Sequence, residues 1–463
     1  MKNRIPNPSR IPLATLALLA LVWCGNSSRA AETNAEEPTQ TAATEQPANP
    51  ALVDVFQKWL KPTEGLEFQI NYIGEVLGDV SGGYRQGAIY EGLLKAGVQL
   101  DLEKLTGWKG GALFVNMLYP HGDSLTQKYT HDLNVVSNID AYDTVRLNEA
   151  WFEQKLFGDH FAVRIGEQAL DTEFFVCDSG AVFINSCFGS PPFFSLNFAA
   201  PTYPLSAPGV RVQWTPSESF LWRTGIYSGD VGDQGRNNTH GGRVAFSSES
   251  GALVLSELVY KTNAGKDATG LPGTFKLGGF CDTGKLDDVR NNGDTHWDDY
   301  GAYFIFDQAI YREQHAAAAP TGKGEKSGKD VSKETASANG KDEKADNDQG
   351  LNFFTRIGGA LPNDRNLVNG YLEGGLTYKG LIPGRDKDVC AVACSYTHIS
   401  KDVRDDSGGA ISSHHETVLE ATYQVAVTDW LSVQPDFQYV INPGGTDDTQ
   451  NAVVIGVRAT LTF

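Results

Sequence analysis

The side chains best equipped for chemistry in this sequence are arginines and carboxylates set into stretches that alternate polar with apolar. Arg146, Arg164 and Arg211, together with Arg223, Arg356 and Arg458, fall on the polar face of such stretches. Glu67, Glu75, Glu373, Glu420, Gln434, Asp436 and Gln438 do the same. A guanidinium offers a planar fork of donors and stays charged at any working pH, while a carboxylate supplies paired acceptors. Set around a narrow passage, these groups suit the vicinal hydroxyls of a sugar, and flanking aromatics suit its apolar face. The candidate contact set is Arg146, Arg164, Arg211, Glu149, Glu167 and Asn197. Glu149 and Glu167 share parity with apolar neighbours, so they join it only if a β-bulge re-aims them. The competing reading is that all these groups merely solvate and brace a wall.

Catalytic constellations do not assemble. HGDSLTQ (121–127) holds the tetrapeptide of a serine esterase family, but no histidine here has an aspartate three residues before it, so Ser124 lacks its base. His414, His415 and Glu416 are adjacent, and neighbouring histidines on one strand face opposite ways, which argues against a metal. The acidic run DDVRNNGDTHWDD (287–299) suits a loosely held divalent cation or a solvated loop. No cofactor or metal site is expected, and no enzyme.

These residues need an all-β scaffold. The final stretch, NAVVIGVRATLTF (451–463), puts Val453, Ile455, Val457, Ala459 and Leu461 on one face and Ala452, Val454, Gly456, Arg458 and Thr460 on the other. That is a strand with lipid or core on one side and water on the other. The same pattern recurs from Gly65 onward, beginning with GLEFQINYIGEV, and yields sixteen strands. Tight connections (TGW, FGD, TPSES, TDW) alternate with long Gly-, Asp- and Asn-rich ones, as short periplasmic turns alternate with long outer loops. The fold expected is a 16-stranded antiparallel transmembrane β-barrel. One connection, about 171–207, is too long and too aromatic to stay in solvent, and is expected to fold inward and constrict the lumen.

Composition agrees. Beyond the first thirty residues nothing approaches the eighteen consecutive apolar residues of a spanning helix. The net charge of −19 excludes nucleic acid as a partner, since polyanion binding needs a concentrated basic surface. Lys2, Arg4 and Arg10 precede an apolar run ending at Trp23, which reads as a secretory signal over 1–31. Residues 32–60 read as a periplasmic linker with a short helix, and 61–463 as the barrel, interrupted by a low-complexity insertion at 312–350 in a periplasmic turn. Export implies an oxidising compartment, where Cys177 and Cys187 could close a small ring as a disulfide. Cys390 and Cys394, about 13 Å apart along an extended strand, could not. Cys281 has no evident partner.

Several ordered segments resemble the OprB-type carbohydrate-selective porins: EFQINYIGEV, SLNFAAPTYPLSAPGVRVQW, DYGAYFIFDQAIYRE, FFTRIGGALPNDRN, GLTYKGLIPGRDKDV and VQPDFQYVINPGG followed by the final strand. The resemblance runs from about residue 60 to the end. It implies a bacterial outer-membrane barrel, monomeric or homotrimeric, that passes carbohydrate solutes by diffusion. The insertion and the paired cysteines depart from the family pattern. The rival expectation is a secreted or periplasmic all-β sugar-binding protein, which would turn its apolar side chains into a soluble core.

Overall fold

The computed structural model describes residues 63–232, 238–244, 246–265, 268–290, 293–313 and 348–463. Sixteen antiparallel strands close into one barrel in which every strand pairs with its sequence neighbour and the last pairs with the first. They are β1 (Leu66–Gly83), β2 (Gly87–Asp101), β3 (Gly111–Gly122), β4 (Arg146–Leu156), β5 (Phe161–Gln168), β6 (Ala207–Ser217), β7 (Phe220–Ser228) and β8 (Ala252–Thr262). β9 (Gly273–Asp287), β10 (Thr295–Arg312), β11 (Gly350–Ala360), β12 (Val368–Lys379), β13 (Val389–Ile399), β14 (His415–Ala426), β15 (Leu431–Ile441) and β16 (Gln450–Thr462) complete it. Closure brings Glu75 opposite Arg458 and Asn71 opposite Thr462. All sixteen expected strands are present. The second stops earlier than its sequence pattern suggests, because Asp101 caps a short helix, α1 (Leu102–Thr106), by accepting from the amides of Glu103 and Lys104.

Period-two alternation turns one set of side chains in and the other out. Outward residues form an apolar belt with Val76, Ile165, Ile226, Leu277, Ile357, Val392 and Ile455 exposed. Aromatics such as Trp108, Trp214, Tyr260 and Trp297 are also exposed. A soluble protein would not expose a belt of this kind, whereas hydrocarbon requires it. Among the described residues no helix is long and apolar enough to cross a membrane.

Inside, large residues sit opposite glycines on the next strand. Tyr303 lies between Gly278 and Gly358, Phe280 opposite Gly301, and Tyr227 opposite Gly209. A β-carbon at Gly278 would come within 2.1 Å of the Tyr303 ring, and one at Gly209 within 2.3 Å of Tyr227. These rings therefore lie along the wall, over the neighbouring backbone.

Both termini-bearing connections and the β10–β11 connection lie at the same end of the barrel. Residues 314–347, the heart of the expected insertion, and residues 1–62, the expected signal, linker and helix, lie outside the described residues. The flanks Glu313 and Asp348 are described, and the Glu313 amide donates to the Gln349 carbonyl.

Gly278→Val should force the Tyr303 ring off the wall and lower barrel stability by about 1–3 kcal/mol, the usual cost of overpacking. Loss of heat-modifiable migration at a lower temperature than wild type is the expected readout, while Gly242→Val, with open space around it and no positive φ, should shift it far less.

Candidate functional site

Two long connections enter the barrel from the end opposite the termini. The expected one, residues 169–206 between β5 and β6, carries Phe174, Phe175, Phe183, Phe188, Phe193 and Phe194, all buried. Their partners are wall residues: Phe175 packs on Tyr303, Phe183 on Phe354, Phe193 and Phe194 on Phe280. The second, residues 123–145 between β3 and β4, is one the sequence did not flag as inward. It pairs with the first through Asn138 to Ile184 and Ser186 to Val135 backbone bonds.

Neither connection has regular structure for most of its length, so its amides and carbonyls need other partners. The wall provides them. Glu420 accepts from the amides of Ile184 and Asn185, at 2.6 and 3.0 Å. Glu416 accepts from those of Leu133, Asn134 and Gly444, and Asp307 from that of Ser179. Arg356 donates to the carbonyls of Phe175, Gly189 and Cys187 and pairs with Glu373 at 2.9 Å. Lys276 holds Val176, Gln434 holds Val182 and Gln438 holds Val136. Arg356, Glu373, Glu420, Gln434 and Gln438 thus face inward as their parity requires, but four of them anchor loop backbone instead of lining water, and Glu373 accepts from Arg356 and Tyr371.

The phenylalanines of the longer connection stack on rings of β9–β12. Charged groups with access to the lumen gather on the other side. Arg164 and Arg211 stand directly opposite each other across β5 and β6. Two like charges in that position repel, and two glutamates compensate. Glu153 lies 3.0 Å from Arg164 and 2.6 Å from Arg211. Glu173, from the inward connection, lies 3.2 Å from Arg164 and 2.7 Å from Arg211. The Arg164 guanidinium also lies 3.8 Å above the Trp151 ring, an attractive arrangement. Lys95 on β2 faces inward and is exposed, 6.0 Å from the Tyr203 ring. Arg458 bonds Glu75 and Asn138.

Burial pushes the Glu173 carboxyl up, but Arg164 and Arg211 more than offset this and hold it below the usual glutamate range. Burial raises Asp171, against the pull of the Tyr203 amide and of Lys95. Between the two connections lies a cavity of ≈ 280 Å³ lined by Ser137, Asn138, Asp140, Asp171, Phe198 and Tyr203, among others.

The remaining candidates separate. Glu149 does point inward, because a register shift between Asn116–Glu149 and Met117–Leu147 inserts an extra residue at Asn148. It receives a bond from Asn116 at 3.4 Å. Glu167 is turned without a register shift. The preceding Gly166 adopts φ +139°, and the carboxylate accepts from Ser206 at 2.9 Å. Arg146 is fully buried and donates to the Tyr142 hydroxyl, while the adjoining Leu147 amide bonds the His240 carbonyl. Asn197 lies on the far wall, its amide spent on the carbonyls of Phe193 and Val368 and the amide of Val368. Of the expected six, Arg164 and Arg211 come together in one charged group, Arg164 partly exposed and Arg211 buried, and the other four hold structure around it. Glu153 lies beyond the bulge, where reading parity across the bulge would have found it. Glu173 lies in an aperiodic segment that carries no such signal.

The Cys177–Cys187 bridge is not formed; both thiols are free. The Cys177 sulfur lies 3.7 Å from Asp307 on β10 and that of Cys187 3.2 Å from Ser395 on β13, so they point at different strands. Cys281, Cys390 and Cys394 are free as well. Ser124 donates to Asp140 and caps the turn at Gln127. β14 begins at His415, so the opposition expected of His414 and His415 does not arise and their rings lie 4.6 Å apart. Among the described residues no group of three or more His, Cys, Asp or Glu is placed to hold a metal.

Residues 85–463 match the family described as "Carbohydrate-selective porin, OprB family". Along its full length the chain is 26% identical to the whole of Porin B of Pseudomonas aeruginosa. It is 21% identical to the putative porin QuiX of Acinetobacter baylyi, over 86% of this chain and 90% of that one. Among solved structures, Pseudomonas putida OprB at high pH superposes with a TM-score of 0.72 at 24% identity, covering 89% of this chain and 96% of that chain.

The depressed Glu173 fixes the sign of one pH effect. A carboxylate held below its ordinary value stabilises the folded state above the unfolded pKa of about 4.3 and loses that contribution as pH falls through the folded value. Glu173→Gln should therefore loosen the inward connection by about 3 kcal/mol equally at pH 7 and pH 6. The difference from wild type should shrink as the pH falls below about 4.3 and through the folded value. Limited proteolysis of the connection in detergent across that range reads this directly. Mass spectrometry without reductant should find free thiols at both Cys177 and Cys187.

Proposed function

This chain belongs to the carbohydrate-selective porin family OprB, and from that premise we propose that sugars cross it beside the β1–β6 wall, past Lys95, Arg164, Arg211 and Trp151. The protein is an outer-membrane carbohydrate porin of a bacterium, a channel by family. The observation that supports the route is the asymmetry of the interior. The inward connection stacks its phenylalanines on rings of β9–β12, which leaves the opposite wall facing whatever lumen remains. There Lys95 is exposed and Arg164 keeps 13% of its side-chain surface.

The arginines work differently from an unopposed ring of positive charge. Arg164 and Arg211 face Glu153 and Glu173, so the group of four is neutral overall. A solute then meets alternating fixed donors and acceptors, which suits uncharged polyols better than ions. Trp151, stacked on Arg164, presents an apolar plane for a pyranose face. Such a site binds weakly, because a pore that holds its solute cannot release it. The cavity between the connections, with Asp171 and Tyr203, is the antechamber to this narrows. The remaining parts of the reading are a cleaved signal over 1–31, a periplasmic face for 312–350, and a monomer or homotrimer as the assembled state.

Arg164→Ala should raise single-channel conductance and blunt sugar block of the ion current by severalfold. It also leaves Glu153 and Glu173 in excess, so ion preference should move towards cations. Lys95→Ala should shift ion preference the same way without widening the pore. Planar-bilayer recordings with a panel of mono- and disaccharides test both. Unchanged conductance, ion preference and block in Arg164→Ala, Arg211→Ala and Lys95→Ala together would put the narrows elsewhere.

A further inference from the structure

At the end of the barrel opposite the termini, β9, β10 and the β11–β12 connection bring three oxygen-bearing side chains together. Asp282 and Asp299 are direct cross-strand partners. Counting from Phe280 and Gly301, both fall on the inward face; a register shift between Trp297 and Asp299 sets that alignment. Both carboxylates are buried, Asp299 completely. Two ionised carboxylates opposed in this way repel, and a buried one without compensation is costly.

The hydrogen bonds at hand do not compensate them. Asp299 Oδ1 accepts from the Tyr300 amide and from Asn366 Nδ2, both at 2.9 Å, and Asp282 Oδ1 from the Gly284 amide at 2.9 Å. Asp299 Oδ2 is buried and has no hydrogen-bond partner. Arg365 attracts Asp299 electrostatically. Its guanidinium, however, is bonded to Asp364 Oδ1 at 2.9 Å and to the carbonyls of Trp297 and Asp298 at 2.8 and 2.6 Å.

A second observation, on a neutral residue, points the same way. Asn366 is completely buried and its Oδ1 also has no partner. Its orientation is settled, because Nδ2 meets two acceptors, Asp299 Oδ1 and the Pro362 carbonyl, each at 2.9 Å. The amide is therefore hydrogen-bonded to Asp299, and each of the two side chains keeps one buried oxygen without a partner. Buried polar atoms are nearly always satisfied. Two open acceptors on hydrogen-bonded side chains, with a further carboxylate across the strand pair, need a cationic or donor partner.

We propose that Asp282, Asp299 and the side-chain oxygen of Asn366 bind a divalent hard cation, of the calcium class, at the outer rim. Calcium takes six to eight oxygens at about 2.3–2.6 Å in irregular geometry and completes its shell with water. Three protein side chains and solvent meet that need, and two carboxylates neutralise the ion. The ion would tie β9 and β10 to the β11–β12 connection, beside the mouth through which solutes enter. The site stands apart from the Arg164–Arg211 group and does not depend on the route proposed for sugars.

The test uses the purified full-length protein in detergent. Calorimetric titration with Ca²⁺ after chelator treatment should show one saturable equivalent per chain. Tb³⁺ luminescence should be sensitised through Trp297, two residues from Asp299, and Ca²⁺ should quench it competitively. Asp299→Asn and Asp282→Asn should each weaken Ca²⁺ at least about tenfold. Asp282→Asn, at the less buried partner, keeps the test open if Asp299→Asn fails to fold. Asp364→Asn, whose carboxylate is occupied by Arg365 and His296, should leave the affinity unchanged. Absence of saturable Ca²⁺ binding to the wild type would overturn the proposal, as would wild-type affinity in both site variants. Equal weakening in Asp364→Asn would reduce the effect to diffuse attraction by an acidic rim and overturn it as well.

Discussion

Irregular backbone can be placed inside a membrane barrel only if the barrel itself meets every amide and carbonyl that the segment turns away from water. Each buried group left unmet costs about 1–3 kcal/mol, and the whole stability of a domain is typically about 5–15 kcal/mol. A handful of failures would expel both inward connections. Most of the wall chemistry in this protein answers that constraint. Carboxylates on β8, β10 and β14 accept from loop amides, as Glu257 does from Phe175 and Glu420 from Ile184 and Asn185. Cations and amides on β7, β9, β11 and β15 donate to loop carbonyls, as Arg223 does to Glu173 and Arg356 to three residues at once. The conspicuous inward charge of the sequence is therefore largely structural, and only a remainder faces solute.

The barrel was legible because period two is enforced along its whole length: lipid tolerates no polar outward face, and the strand count followed from alternation alone. Even the irregularity at Glu149 was visible as a parity conflict that a bulge resolves, whereas the same conflict at Glu167 is met by the backbone of Gly166 without one. The charged group proposed to meet solute was legible only in part. Arg164 and Arg211 lie on regular strands, so projection put both on the inner face. Their partner Glu173 sits in a segment with no period, and its role depends on how far that segment travels inward. Asn197 and Arg146 show the converse failure. Residue type and approximate location matched, but what each group bonds to is decided by tertiary contacts that no local pattern encodes. The cysteines fail for the same reason. Nine intervening residues permit a ring, yet Cys177 and Cys187 are drawn towards β10 and β13 by the anchoring of the backbone between them, with Ser179 on Asp307 and Ile184 on Glu420.

Electrostatic balance at the narrows follows from the same geometry. Opposed arginines on β5 and β6 are tolerable only because one glutamate comes from β4 and another from the inward connection. Docking the connection therefore does two things at once: it narrows the lumen and it neutralises the arginines that line it. A barrel with the same wall and a retracted connection would be wider and more attractive to anions. On the proposed route, selectivity for neutral solutes is in this sense a property of the docked state and not of the wall.

The docked state in turn depends on glycine. The connection lies against β8–β14 with phenylalanines on wall rings that themselves lie flat over neighbouring backbone. Phe193 would come within 2.6 Å of a β-carbon at Gly358, and Phe354 within 2.7 Å of one at Gly375. Side chains at those positions would hold the rings, and with them the connection, further from the wall. Because the barrel perimeter is fixed by its sixteen strands, any such displacement moves the plug towards β1–β6 and narrows the passage there. If solutes pass along β1–β6 as proposed, the glycines of β9, β11 and β12 act on pore width from the opposite side of the barrel, because the close seat of the connection on its wall depends on their having no side chain.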